Sequence, residues 1–116
     1  MDNRIENRNR RVSQRSLCDI YPDRCHNAVL GLDYFGVLNN SRVTFNKHTD
    51  HNNGIVGNLR MFEATGMGAC LLTDNGRNIN DLFEPGKEIV TYSSVDEAVE
   101  KVTYLLDHED ERVEIA

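Results

Sequence analysis

The sequence predicts an α/β fold, a parallel sheet flanked by helices, on three observations. Ala69-Cys70-Leu71-Leu72-Thr73 is apolar without alternation, the pattern of a strand covered on both faces. Strand-like and helix-like runs alternate along the chain, an order that builds parallel sheets. Ser94 and Glu97 form a capping box ahead of an apolar stripe at Val95, Ala98, Val99, Val102, Leu105 and Leu106. Only three strands are convincing, fewer than a complete doubly wound domain usually carries. A partial domain is therefore expected.

Taken in order, residues 1–24 show no sustained period of either kind and predict a poorly ordered polar arm, drawn to residue 26. Leu32, Phe35 and Leu38 then recur every third residue, which predicts a short helix ending near Asn39–Asn40. Arg42-Val43-Thr44-Phe45-Asn46 is β-branched and aromatic, and predicts a strand. A polar loop runs from Lys47 to Gly57. Asn58 is a good N-cap for a helix over Leu59 to Met67, and Gly68 suits the left-handed residue that ends it. The apolar strand follows, then a loop over Asp74–Arg77 and a short helix over Ile79 to Phe83. Glu84-Pro85-Gly86-Lys87 has the chemistry of a tight turn, leading to a third strand over Glu88 to Tyr92. After the long last helix, another is expected to start near Glu109.

The totals exclude several classes. At 116 residues the chain holds one domain at most, and 39% apolar with 28% charged residues is ordinary for a globular protein. Its longest apolar run is far too short to cross a bilayer, and no apolar stretch follows the arginines of the amino terminus to make a signal peptide. A net charge of −6 argues against a general nucleic-acid binder. That charge is uneven: residues 1–24 carry six basic and four acidic side chains, residues 84–116 three basic and ten acidic. Three cysteines, Cys18, Cys25 and Cys70, are an odd set without framework spacing, best explained by reduced thiols in the cytoplasm. Cys70, inside the apolar run, is expected in the core.

In an open α/β sheet ligands sit beyond the carboxyl ends of the strands, which selects the loops after Asn46 and Thr73. The first loop leads into the helix at Asn58, whose free amides and dipole favour an anion such as a diphosphate. Arg60 in the first turn and Glu63 three residues on share a face, placing a cation and a carboxylate for phosphates and sugar hydroxyls. The plain alternative is a surface ion pair worth about a few tenths of a kcal/mol. His48 and His51 hint at a metal, but their spacing in a loop without further ligands is weak. Cys25-His26 lacks the third group a catalytic pair needs. Gly66-Met67-Gly68 closes a helix, where a dinucleotide fingerprint opens one.

The run from Asn58 to Asp74, with Arg-Met-Phe-Glu-Ala and Gly-Met-Gly, resembles the central motif of group 1 glycosyltransferases. It is closest to the branch typified by the spore-maturation protein CgeB. Asn80-Asp81-Leu82-Phe83-Glu84-Pro85-Gly86-Lys87-Glu88-Ile89-Val90 and Gly31-Leu32-Asp33-Tyr34 are similar to the same branch, so the likeness spans residues 27–116. It implies part of the C-terminal, Rossmann-like domain of a GT-B enzyme, which binds a nucleotide-diphosphate sugar without a cofactor or an obligatory metal. By this resemblance Glu63 would accept from the ribose hydroxyls, while Arg60 and the amides of Asn58 and Leu59 would meet the diphosphate. Asn46 and His48 would line the sugar side, and Asp74 and Asn78 would lie near the same crevice. Many group 1 enzymes carry a glutamate eight positions before the one matching Glu63; here Ile55 stands there, so that contact is not carried over. The amino-terminal acceptor-binding domain and the opening strands are expected to lie outside these residues. The leading expectation is thus a glycosyltransferase fragment. Alternatives are a non-catalytic α/β interaction module without donor binding and, last, a flavodoxin-like receiver.

Overall fold

The computed structural model describes residues 17–48 and 54–116. A single helical turn α1 (Leu17–Ile20) and a 3-10 turn (Pro22–Arg24) precede α2 (Leu32–Asn40) and β1 (Val43–Asn46). Next come α3 (Leu59–Gly66), β2 (Cys70–Asp74), α4 (Ile79–Leu82), β3 (Val90–Tyr92), α5 (Val95–Asp107) and α6 (Glu109–Ile115). The described part of the expected arm therefore holds a helical turn and a 3-10 turn, and its residues 1–16 lie outside the described part.

The three strands pair in the order β1-β2-β3, both pairs parallel, with Val43 opposite Cys70 and Leu72 opposite Val90. Cys70 to Thr73 are all buried, as an apolar run without alternation requires. Successive side chains leave a strand on opposite faces, so Leu71 and Leu72 enter different cores. Leu71 joins Leu38, Val56, Met61, Ala64, Ile79 and Ile89, while Leu72 joins Tyr92 and Ala98 against Val43 and Val102. Helices thus cover both faces in a Rossmann-like α/β arrangement. Fully burying one such leucine is worth about 1.5–3 kcal/mol.

Local signals set the helix ends. The Asn58 side chain accepts from the Met61 amide at 3.2 Å, and Gly68 takes φ 78 just past the end of α3. At α5 the Ser94 hydroxyl accepts from the Glu97 amide at 3.1 Å. The returning bond comes from the Ser93 amide rather than that of Ser94, and the other Glu97 carboxylate oxygen holds Lys101 at 2.8 Å.

Three expectations change. Leu32 is 90% exposed, so the three-residue repeat of α2 buries only its later part, at Leu38. The stripe of α5 is half covered: Ala98 and Leu105 are buried, Val95, Val99 and Leu106 exposed. Cys25 is disulfide-bonded, which corrects the expectation of reduced thiols; an odd count permits one pair and one free thiol. Cys70 is free and buried, and burial pushes its thiol pKa up, with Arg112 partly opposing.

Candidate functional site

The carboxyl ends of β1 and β2 and the start of α3 meet in one polar network. Asn46, only 2% exposed, exchanges two 3.1 Å hydrogen bonds with the Asn58 carboxamide and donates to the Thr73 hydroxyl at 3.2 Å. Tyr92 donates to the Asn46 carbonyl at 2.8 Å, which locks the end of β1 to β3. Burial and the charge of Asp74 push that phenol up to about 12, so it stays a donor.

His48 is the centre of this network. Its Nε2 accepts from the amides of Gly57 at 3.0 Å and Asn58 at 3.2 Å, so this nitrogen carries no proton. The proton is then on Nδ1, which donates to Asp74 Oδ1 at 2.6 Å, and the His48 amide donates to Oδ2 at 2.9 Å. That tautomer is assigned from the hydrogen-bond pattern. Burial raises the Asp74 pKa, but the bonds from the His48 ring and amide, aided by Thr73, hold it below the usual carboxylate value. With both ring nitrogens engaged, His48 is not placed to act as a base or a metal ligand. His51 lies outside the described residues, among which no group of three or more His, Cys, Asp or Glu side chains is arranged to hold a metal ion.

A second clamp holds the approach to α3. Asn78 accepts from the Val56 amide and donates to its carbonyl, both at 2.8 Å, and the Arg77 amide donates to the Gly54 carbonyl at 2.8 Å. Gly76 permits this crossing, since a Cβ there would lie 2.4 Å from Val56 Cγ1 and 3.0 Å from the Gly54 carbonyl oxygen. Gly76→Ala is expected to lower stability by about 1–3 kcal/mol, read by urea unfolding, through overpacking at this contact.

The residues expected to touch a ligand thus divide into two groups. Asn46, His48, Asn58, Asp74 and Asn78 spend their side chains on the protein. Leu59, Arg60 and Glu63 take no part in that frame. The amides of Gly57, Asn58 and Met61 are already engaged, whereas those of Leu59 and Arg60 have no acceptor among the described residues. Arg60 is exposed and forms no ion pair there; the pair with Glu63 is not made. Glu63 is half-buried and accepts instead from the Tyr34 phenol of α2 at 3.1 Å. Sequence reasoning gave no role to Tyr34, Thr73, Gly76 or Tyr92. Tyr34 was visible only as part of a motif, because the apolar repeat of its helix passes over it.

The class is therefore a parallel α/β unit in which α3 starts beside the carboxyl ends of β1 and β2. Residues 5–116 match the family model described as glycosyl transferase-like, and the chain belongs to that family. The match begins inside the stretch expected to be a polar arm. Comparison with curated proteins and with solved structures gave no match. Among the described residues no helix is long and apolar enough to cross a membrane.

Proposed function

We propose that this chain binds the nucleotide diphosphate of a sugar donor, as part of a GT-B, CgeB-like glycosyltransferase that moves the sugar to an acceptor. The observation carrying this reading is the start of α3, where, among the described residues, the amides of Leu59 and Arg60 have no acceptor and the Arg60 guanidinium has no ion-pair partner, with Glu63 three residues on. Helix amides and a planar cation complement phosphate oxygens, and a carboxylate complements vicinal hydroxyls. His48, Asn58 and Asn78 hold that end in place, so little reorganisation would oppose binding. Sugar transfer leaves negative charge on the departing diphosphate, which fixed donors would stabilise. A second domain of the complete enzyme would hold the acceptor.

Titration calorimetry with UDP, GDP and their sugars tests the reading. Binding to at least one of them is expected, with affinity unchanged by a chelator. A folded chain that binds none of them would remove the proposal.

A further inference from the structure

We infer that Tyr34 is a positioning residue: it aims the Glu63 carboxylate at the ribose diol of the nucleotide, and so sets a preference for ribonucleotides over deoxyribonucleotides. The inference rests on the reading above and adds a residue to it. Glu63 is half-buried on α3 and has three rotatable side-chain bonds, and an unrestrained carboxylate loses that freedom when it binds a ligand. The Tyr34 phenol, from a residue 29 positions earlier, donates to Glu63 Oε1 at 3.1 Å and removes that freedom beforehand. A hydrogen bond to an ionised carboxylate is among the stronger kinds.

Tyr34 is itself fixed. It packs against the core on the α3 side of the sheet, and its ring meets Phe35 edge-on at 5.3 Å between centroids and 67°. An ionised carboxylate offers about four acceptor sites. One is taken by Tyr34, and among the described residues no donor reaches Oε2. The carboxylate is therefore held on one side and open on the other, as recognition of two adjacent hydroxyls requires. Arg60, three residues earlier on the same helix, forms no ion pair with it.

The test uses the chain with Tyr34→Phe, which keeps the ring and removes the phenolic oxygen, and with Glu63→Gln. Each is titrated with UDP and GDP and with their 2′-deoxy forms. The unsubstituted chain is expected to prefer the ribonucleotide about tenfold. Tyr34→Phe should cut that preference about threefold or more while affinity for the deoxy form stays the same, and Glu63→Gln should abolish it. An unchanged ratio in Tyr34→Phe, or equal weakening of both forms, overturns the inference and leaves donor binding standing. Failure of the unsubstituted chain to bind any nucleotide removes both.

Discussion

Replacing His48 with alanine is expected to lower stability by about 2–4 kcal/mol, because three groups lose their partner together. The Gly57 and Asn58 amides lose their acceptor and the Asp74 carboxylate loses its ring donor. For a domain near this size that is a fall in melting temperature of about 10 °C or more. His48→Gln should recover part of it, since a carboxamide also offers one acceptor and one donor. The acid side gives an independent readout. The folded Asp74 holds its proton less tightly than the unfolded chain does, so the unfolded state binds more protons in the window between the two values. The Asp74 contribution is thus complete above the ordinary carboxyl value of 3.8 and is lost as pH falls through the lower folded value. In His48→Ala this acid limb should flatten. A variant that melts within about 2 °C of the parent would show that the imidazole does not hold the loop.

How much of this was legible depended on the range of the interactions. The caps at Asn58 and Ser94 and the uniform burial of Cys70 to Thr73 follow from residues within one turn or one strand, and the sequence carries them openly. The parallel order followed from the spacing of strands and helices. The site was half legible. Arg60 and Glu63 are visible as neighbours on a helix, but the partner Glu63 takes is Tyr34, which lies 29 positions earlier and is brought there by tertiary packing. The role of His48 was equally hidden: a histidine in a polar loop can bind a metal, a phosphate or a backbone, and only the approach of Gly57 and Asn58 selects the last. Gly76 gave no signal, because its constraint is Val56, twenty positions earlier, not a left-handed turn. Cys25 shows the limit of counting: an odd number of thiols does not say how many are paired.

Arg60→Ala is expected to weaken UDP or GDP binding about five- to twentyfold and to leave binding of the bare nucleoside unchanged. The reasoning starts from the free protein. Arg60 is exposed and has no ion-pair partner among the described residues, so its removal strands no buried charge. Stability should move by less than about 0.5 kcal/mol, which separates this variant from His48→Ala. The whole loss then falls on the bound state, where the guanidinium would face the diphosphate beside the Leu59 and Arg60 amides. A chain of net charge −6 repels phosphate at long range, so a local cation carries more of the attraction here than it would on a basic protein. Because the group is exposed, the gap between parent and variant should narrow as salt rises. Lys87→Ala, which removes an exposed cation paired to Glu84 at the turn before β3, should leave UDP affinity as it was. Equal UDP affinity in Arg60→Ala and the parent would place the diphosphate away from the start of α3. Equal loss for UDP and uridine would mean that the substitution disturbs the helix, and Arg60 would then have no role as a phosphate contact.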